Sequence, residues 1–254
     1  MTTDLEGRHA LVTGGGTGIG LAIAQMLASR GAKVTITGRR GDVLDNAAAG
    51  TPGLHPLVMD VAQEASVVQG IAEAIAARGP VTICVANAGI AEGKSMGKMD
   101  MAFWRNMMAI NLDGAYLTVR ECLGGMLAEG WGRTIFMSSI AGLKGLKGAP
   151  AYTASKHGMI GLMRGLSEEY MGSELTFNAI CPGYVDTDIV ARNTESISAR
   201  AGIDAEQARA MMVKSNRHKR LITPAEVAAA AEWLVGPNSG SVNGQTLEIA
   251  GGQM

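Results

Sequence analysis

The sequence predicts an α/β protein of one domain, residues 1–254, built on a parallel sheet with helices on both faces. Short apolar runs alternate with longer helical patterns, 47% of the 254 residues are hydrophobic, and no repeat or linker interrupts the chain. Alternating strands and helices are typical of right-handed βαβ units, and strands buried on both faces are apolar throughout. A chain of this length can bury a core of ordinary size.

The predicted elements follow one another in regular order. Apolar runs bounded by turn residues predict strands at His9–Thr13, Lys33–Thr37, Leu57–Asp60, Val81–Ala86, Thr134–Met137, Leu175–Ile180 and Thr246–Ile249. Helical periodicity predicts helices over Ile19–Ser29, Glu64–Arg78, Phe103–Leu127, Pro150–Met171 and from Thr223 onward. Thr223 is expected to be an N-cap, because proline and glutamate follow at the first and third helical positions. We expect a loop between residues 38 and 56.

The segment from about 187 to 221 breaks this order. It is helix-forming and partly polar, and it fits no strand-and-helix unit. An insertion after the carboxyl end of a strand often covers a ligand. We interpret it as a substrate cover, and an ordinary surface excursion or a subunit contact is the alternative.

The charge balance argues against nucleic acid or a membrane surface as a partner. Lys and Arg number 22 and Asp and Glu 23, which gives a net charge of −1 and no strong field for a polyanion. No apolar run is long enough to span a bilayer, and the first residues lack the features of a signal peptide. We therefore expect a cytoplasmic protein.

The three cysteines, Cys84, Cys122 and Cys181, form no recognisable metal or disulfide pattern. They are far apart and odd in number, with neither a CxxC motif nor a histidine at ligand spacing. Cysteine in apolar stretches is usually a small buried hydrophobe. We expect reduced thiols and no metal site.

A glycine-rich turn, TGGGTGIG at residues 13–20, follows the first strand and opens the first helix. Backbone N–H groups and the positive helix end at such a turn can hold a pyrophosphate. A Walker loop is excluded, because Gly20 is followed by Leu21 and Ala22 instead of Lys and Ser or Thr. The turn predicts a dinucleotide site, and a merely tight strand-to-helix turn is the alternative.

With this turn, four further motifs resemble those of the short-chain dehydrogenase/reductase family, and of its 3-oxoacyl and ketoreductase members in particular. They are ANAG at 86–89, Ser139, YTASK at 152–156 and CPG at 181–183. The resemblance extends over essentially the whole chain. It implies a doubly wound seven-stranded sheet, a nicotinamide cofactor, no catalytic metal and commonly a homotetramer.

The end of the second strand bears on the choice of cofactor. An NAD enzyme of this fold needs a carboxylate there for the adenosine ribose, whereas this strand ends in Gly38, followed by Arg39 and Arg40. A guanidinium is a forked donor that suits a 2′-phosphate. We predict NADP(H) as the preferred cofactor; NAD(H) is the alternative, with Arg39 stacked on adenine.

The resemblance assigns the other cofactor contacts. Asp60 and Val61 would meet the adenine edge, although Asp60 could equally cap the following helix. Asn87 and Gly89 would form the wall against the adenosine. The complete expected set is Gly14, Thr17, Gly18, Ile19, Gly20, Arg39, Asp60, Val61, Asn87, Gly89, Tyr152, Lys156, Pro182, Gly183, Val185 and Thr187, the last four at the nicotinamide end.

Tyr152 and Lys156 lie one helical turn apart, so their side chains share a face. A free phenol has a pKa of about 10, and a nearby ammonium and an oxidised nicotinamide ring both lower that pKa. With the resemblance, Tyr152 is predicted to be the general acid in reduction and the base in oxidation. Lys156 is predicted to lower the pKa of Tyr152 and hold the cofactor ribose. Without the resemblance, an exposed helix pair would be the better interpretation.

Two further catalytic residues are expected from the resemblance. Ser139 precedes Tyr152 at the family's spacing and would bind the substrate carbonyl oxygen, while its neighbour Ser138 would point to the opposite side. Asn111 matches the family's helix asparagine, which holds a water that links Lys156 to solvent. A core amide that bends the helix is the alternative for Asn111.

The predicted reaction is hydride transfer between the cofactor and a small-molecule ketone or secondary alcohol. The substrate pocket is expected between segments 91–99 and 143–150 and the cover from Ile189 to Lys219, with soft side chains from Met96, Met99, Met211 and Met212. The alternatives are an NAD-dependent alcohol or hydroxyacyl dehydrogenase of the same family, and a catalytically silent NADP-binding regulatory protein.

The nature of the substrate is left open by the sequence. Lys144, Lys147, Arg217, Lys219 and Arg220 could bind a phosphopantetheine or coenzyme A carrier, although solvated surface charge is the favoured explanation of these residues. A 3-oxoacyl thioester is therefore only narrowly preferred over a plain ketone, a polyol or a cyclic alcohol.

Overall fold

The computed structural model describes residues 4–187, 190, 194, 198 and 202–253. Within them, seven strands form one parallel sheet: β1 (His9–Thr13), β2 (Lys33–Gly38), β3 (Leu54–Val58), β4 (Val81–Ala86), β5 (Gly132–Met137), β6 (Leu175–Pro182) and β7 (Thr246–Ile249). Their order across the sheet is β3-β2-β1-β4-β5-β6-β7. The chain order reverses between β1 and β4, so a crevice opens there at the carboxyl ends of the strands. The predicted α/β class is confirmed.

Helices cover both faces of the sheet. They are α1 (Gly18–Ser29), α2 (Gly41–Ala49), α3 (Glu64–Arg78), α4 (Met101–Met108), α5 (Gly114–Glu129), α6 (Pro150–Glu169), α7 (Ala205–Ser215) and α8 (Pro224–Val235). Apolar side chains of α1 and α8 form the core on one face, and those of α3, α5 and α6 form the core on the other. The central strands β1, β4, β5 and β6 are buried along their whole length.

The predicted cap of the last helix is confirmed. Thr223 Oγ1 accepts a hydrogen bond from the backbone N–H of Glu226, and the Glu226 carboxylate accepts one from the backbone N–H of Thr223. Two donors that the helix leaves unpaired are thereby satisfied. This begins α8 directly after the covering segment.

Two predictions in the first half of the chain are wrong. The third strand is Leu54–Val58, not Leu57–Asp60, because pairing with β2 sets its register from Leu54 opposite Val34. As an edge strand it buries only Leu54 fully, so its apolar pattern is a poor guide to its position. Residues 41–49, expected to be loop, form α2, whose one fully buried residue is Leu44.

The predicted single helix over Phe103–Leu127 is interrupted. A π-helical turn, Ala109–Asp113, separates α4 from α5. Gly114 follows it, where an added Cβ would lie 2.9 Å from the Val61 Cβ, so the chain packs closely at this point. The sixth strand is also longer than predicted and ends at Pro182, which pairs with Ile249 of β7.

Cys84, Cys122 and Cys181 are free and fully buried, as expected of small core residues. In the part of the chain that the structure describes, no helix is both long enough and apolar enough to cross a membrane.

Candidate active site

A cavity of about 520 Å³ lies at the carboxyl ends of β1, β4, β5 and β6. It brings together most residues that the sequence singled out. The predicted residues in its lining are Gly14, Thr17, Gly18, Ile19, Gly20, Asn87, Gly89, Ser139, Tyr152, Lys156, Pro182, Gly183, Val185 and Thr187. Arg39, Asp60, Val61 and Asn111 are outside this lining.

The backbone of the glycine turn adopts a conformation that would be strained if its glycines were replaced by other residues. Gly14 and Gly18 have φ angles of +64° and +54°, in the left-handed region that favours glycine. A Cβ on Gly20 would lie 2.3 Å from the Gly14 carbonyl oxygen and 2.5 Å from Asn87 Nδ2. None of the described side chains caps the N-terminus of α1. The first residues of α1 line the cavity, so their uncapped N–H groups are available to an anion there.

Asn87, which follows β4, links the glycine turn after β1 to the end of this neighbouring strand by hydrogen bonds. Its Nδ2 donates to the Thr13 carbonyl oxygen at 2.8 Å. In return, Thr13 Oγ1 accepts hydrogen bonds from the backbone N–H groups of Asn87 and Ala88, both at 3.0 Å. The two strand ends that flank the crevice are thus held in a fixed relation.

The second strand ends with an unpaired guanidinium. Arg39 is exposed, and among the described residues it has no hydrogen-bond or ion-pair partner. Gly38 has room for a side chain, since an added Cβ would be 3.6 Å from the nearest atom, on Leu44. No carboxylate occupies the strand end, so this corner suits an anionic group better than a neutral diol.

Asp60 has a local structural role just after the end of β3. Its Oδ1 accepts a hydrogen bond from the backbone N–H of Ala62 at 3.0 Å, and its own backbone N–H donates to Ser66 Oγ at 3.0 Å. It therefore caps the turn that precedes α3. The alternative expectation, that Asp60 caps the helix itself, is met only in part. Val61 is buried, 8% exposed, and packs against Gly114.

Ser139 and Tyr152 meet in the cavity. Ser139 follows β5, which ends at Met137, and its Oγ accepts a hydrogen bond from the backbone N–H of Ala141 at 3.1 Å. Its hydroxyl also acts on the Tyr152 phenol, in the first turn of α6, by lowering the pKa of that phenol. Ser138 points elsewhere, because its hydroxyl donates to the Lys156 carbonyl oxygen at 3.2 Å. This is the division of roles that the alternation along a strand predicts.

Burial raises the pKa of Tyr152, and the hydrogen bond with Ser139 opposes this increase. The sequence-based argument expected the ammonium of Lys156 to lower the pKa. In the structure burial outweighs every other influence on the phenol, so the hydroxyl is protonated at neutral pH. That is the form needed in a general acid.

Lys156 is buried, 4% exposed, and lies beneath the tyrosine. Its Nζ donates to the Met137 carbonyl oxygen at 2.7 Å and is 5.9 Å from the centre of the Tyr152 ring. Burial lowers the pKa of Lys156 to about 8, so the amine is mostly charged at neutral pH. An ammonium has three N–H donors, and two remain for groups that enter the cavity.

Asn111 is fully buried in the π-helical turn. Its Nδ2 donates to Ser155 Oγ at 3.0 Å on α6 and its amide also bonds the backbone of Ile90. Its Oδ1 is 3.1 Å, and Lys156 Nζ 3.6 Å, from the position that a Cβ on Gly89 would occupy. The amide thus lies beside the lysine while it also links three parts of the core.

The expected substrate segments contribute in part. Ala91, Glu92 and Gly93 line the cavity, as do residues 146–149. Val190 and Met212 line it from the cover, whereas Met96 is 74% exposed and Met99 lies outside the lining. Ile189 and the side chain of Met211 fall outside what the structure describes.

The five expected carrier-binding cations do not converge. Lys147 alone among them lines the cavity. Lys144 Nζ donates to the Gln253 carbonyl oxygen at 2.5 Å, and Arg220 forms a forked ion pair with Glu226. Lys219 and Arg217 are exposed and outside the lining.

The sequence argument missed Tyr184, which lines the cavity directly after the Pro182-Gly183 pair. Of its neighbours in the cover, Met212 was expected by name, whereas Val190 was expected only as part of a long range. The place of Tyr184 at the end of a buried strand was a signal that could have identified it.

Comparisons with known proteins agree with this geometry. A family model for short chain dehydrogenase matches residues 8–198. The chain is 35% identical over 246 residues to acetoacetyl-CoA reductase of Rhizobium meliloti (strain 1021), with 97% of this chain and 98% of that protein covered. It is 32% identical over 246 residues to the 3-oxoacyl-acyl-carrier-protein reductase MabA of Mycobacterium tuberculosis, with 96% and 92% covered.

A solved structure resembles the whole chain. It is a variant of actinorhodin polyketide ketoreductase with NADPH, and it superimposes with a TM-score of 0.94 at 32% sequence identity, covering 100% of this chain and 99% of that one.

Proposed function

Because this chain belongs to the short-chain dehydrogenase family, we propose that it interconverts a ketone and a secondary alcohol with NADP(H). The observation that carries the proposal is the meeting of Ser139, Tyr152 and Lys156 in one cavity that begins at the glycine turn. Two hydroxyls beside an ammonium are suited to proton transfer. The glycine turn at the other end of the cavity is suited to binding a dinucleotide.

The residues present fit an NADP(H) molecule. The glycine turn leaves the N-terminal N–H groups of α1 open to a pyrophosphate, and Arg39 stands unpaired, among the described residues, at the end of β2 where the adenosine 2′-phosphate would lie. Asp60, Val61, Asn87 and Gly89 would border the adenosine. Pro182, Gly183, Val185 and Thr187 would border the nicotinamide. NAD(H) has no 2′-phosphate for Arg39 to bind, so it is the weaker candidate.

When bound, the nicotinamide supplies a hydride to the carbonyl carbon in reduction and takes it back in oxidation. Ser139 and Tyr152 donate hydrogen bonds to the carbonyl oxygen, and Tyr152 gives that oxygen its proton as negative charge develops there. Burial keeps this proton on the phenol beforehand. In the reverse direction Tyr152 accepts the proton of the alcohol.

Lys156 supports both directions. Its charge favours the phenolate that forms when Tyr152 gives up its proton. Its two N–H donors not engaged by Met137 would hold the ribose hydroxyls of the cofactor. Asn111 holds the backbone of Ile90 and the Ser155 hydroxyl in place near the lysine, and any water it holds would use the remaining lone pair of its Oδ1.

The substrate class is narrowed by the lining and by the relatives. The lining includes a set of apolar side chains that would suit an acyl chain: Ile90, Ile140, Leu146, Val190 and Met212. The relatives include acetoacetyl-CoA and 3-oxoacyl-acyl-carrier-protein reductases. We favour a 3-oxoacyl thioester over a plain ketone, with Lys147 at the cavity as the one lining cation of the five expected to meet a carrier.

The broader setting is part of the same proposal. One domain would hold both the cofactor and the substrate, and the segment 187–221 would cover the substrate, since Val190 and Met212 already line the cavity. We further propose a homotetramer in the cytoplasm, with no nucleic-acid partner. Sedimentation of the purified protein would test the oligomeric state.

The proposed function is tested with purified protein, NADPH or NADH, and a panel of 3-oxo esters, plain ketones and cyclic ketones. We expect substrate-dependent loss of NADPH absorbance and much weaker activity with NADH. Binding of NADPH without turnover of any substrate would favour a silent regulatory protein instead. Faster turnover with NADH would favour the NAD-dependent alternative.

A further inference from the structure

The cavity contains a second phenol that the proposed chemistry does not use. Tyr184 lines it together with Tyr152, and the two are close enough for Tyr184 to contribute to the raised pKa of Tyr152. Tyr184 is itself partly buried, and burial raises its pKa as well. It therefore carries a neutral hydroxyl, able to donate a hydrogen bond at neutral pH.

The main chain of Tyr184 is held firmly. Its carbonyl oxygen accepts a hydrogen bond from the backbone N–H of Ile222 at 3.0 Å and from Asn216 Nδ2 at 3.3 Å. The neighbouring residue Val185 forms a parallel bridge with Ile222. The residues just after β6 are thus bonded to the end of the covering segment, so the backbone of Tyr184 has a fixed position.

The ring of Tyr184 is held by the cover. It packs against the small apolar cluster of Val190, Met212 and Leu221, of which Val190 and Met212 also line the cavity. The ring thus fills the space between the cover and the proposed nicotinamide end of the site. A side chain supported on its ring and at its backbone has little freedom left, so its hydroxyl has a defined location.

That hydroxyl has no partner among the described residues. Within 4–187, 190, 194, 198 and 202–253, no group forms a hydrogen bond with it, although its ring is packed and its backbone is bonded. Ser139 and Lys156, by contrast, both have partners within the protein. The Tyr184 hydroxyl is therefore free to donate to a substrate atom in the cavity. A substrate that displaced water from it without accepting this hydrogen bond would leave it unpaired, at a cost in free energy.

We propose that Tyr184 determines substrate specificity by donating a hydrogen bond to a second oxygen of the substrate, a few bonds from the reacting carbonyl. The site would then favour 3-oxo esters and thioesters over plain ketones. This inference rests on the proposed function, because it assumes that the reacting oxygen binds at Ser139 and Tyr152. A plain ketone leaves the Tyr184 hydroxyl unpaired, and sites built to pair a polar group discriminate strongly against analogues that lack it.

The test compares methyl acetoacetate with 2-hexanone, which has the same chain length but no ester group. Both are reduced with NADPH by the wild type and by Tyr184→Phe, and kcat/KM is measured for each. We expect the variant to lose about 10- to 100-fold in kcat/KM with the ester and less than about threefold with the ketone. Tyr116→Phe, at a tyrosine that is 46% exposed on α5, should leave both values unchanged.

The ratio of the kcat/KM values for the two substrates, measured on one protein, does not depend on the fraction of that protein that is folded. If the wild type reduces either substrate and Tyr184→Phe has the same ratio of kcat/KM values for the ester and the ketone as the wild type, the role of Tyr184 is overturned. The proposed function is then left intact. An equal loss with both substrates would also overturn it, since it would place Tyr184 in the general machinery. If the wild type reduces neither compound nor any other ketone, the proposed function itself fails.

Discussion

Asn111 holds the backbone of Ile90 by both of its polar atoms. Its Oδ1 accepts a hydrogen bond from the Ile90 N–H at 2.8 Å, and its Nδ2 donates to the Ile90 carbonyl oxygen at 3.0 Å. An amide side chain here replaces the two hydrogen bonds that a neighbouring strand would have made. The loop that follows β4 therefore has a fixed course where it lines the cavity, and the π-helical turn that carries Asn111 is fixed with it.

We expect Asn111→Leu to lower the free energy of unfolding by about 2–4 kcal/mol, because it leaves the N–H and carbonyl groups of Ile90 without partners. Urea unfolding measures the change. Asn106→Leu, on the exposed side of α4, is the matched control and should change stability by less than about 0.5 kcal/mol. Equal stability of the two variants would show that the Ile90 contact is unimportant.

We expect Tyr152→Phe to reduce kcat about 10²- to 10⁴-fold, because it removes only the hydroxyl that transfers the proton. The dissociation constant for NADPH should change less than about threefold, as the ring still fills its place. Steady-state kinetics and a fluorescence titration measure the two effects. Tyr170→Phe, at the end of the same helix and with its ring tilted against that of Phe177, should retain full activity. Full activity in Tyr152→Phe would exclude this residue as the proton donor.

Lys156 should make stability depend on pH above neutrality. Its pKa is lowered from 10.5 to about 8 by burial, so the unfolded chain binds more protons than the folded protein between these values. The contribution of Lys156 to the free energy of unfolding is then expected to rise as pH increases from about 8 toward 10. Urea unfolding at several pH values measures this increase.

Lys156→Met retains much of the side-chain volume and cannot titrate. Its stability should show a smaller increase over the same pH range than that of the wild type. If the two curves run parallel, the amine has an ordinary pKa in the folded protein and burial does not perturb it.

The end of β2 should control the choice of cofactor. Arg39→Ala is expected to raise the dissociation constant for NADPH about 10- to 100-fold, since it removes charge-assisted hydrogen bonds to the 2′-phosphate. Binding of NADH should change little. Arg40→Ala is the control, at the neighbouring exposed arginine. Unchanged preference for NADPH in Arg39→Ala would contradict this role.

Gly38→Asp tests the same corner by adding charge instead of removing it. A Cβ fits there, with its nearest atom 3.6 Å away, so the fold should tolerate the substitution. A carboxylate at this position accepts hydrogen bonds from ribose hydroxyls and repels a phosphate. The ratio of NADH to NADPH affinity should therefore increase, and a decrease would be inconsistent with the assignment.

Gly20→Ala should abolish NADPH binding and lower the melting temperature, because the new methyl group would lie 2.3 Å from the Gly14 carbonyl oxygen. Calorimetry and a cofactor titration measure these effects. Gly161→Ala on α6, where an added Cβ meets no atom of the described chain within 4 Å, should be neutral or slightly stabilising. Tight NADPH binding by Gly20→Ala would show that the turn can relax.

Much of the fold could be predicted from the sequence because its determinants are local. The strands of the sheet interior are buried on both faces, so β1 and β4 are recognisable as apolar runs wherever they occur in a chain. The site residues were grouped by short-range relations as well. Tyr152 and Lys156 are one helical turn apart, and Ser139 follows a strand whose end is marked by its own sequence.

Only the tertiary structure decided the features that depend on distant partners. The position of β3 comes from its pairing with β2 and not from its own apolar pattern, and the one buried residue of α2 is Leu44. The π-helical turn accompanies the contact between Asn111 and Ile90. The pKa of Lys156 follows from its burial, and the exposure of the Tyr184 hydroxyl to the cavity follows from the packing of the cover. Each of these depends on contacts between residues far apart in the chain, which a local pattern does not contain.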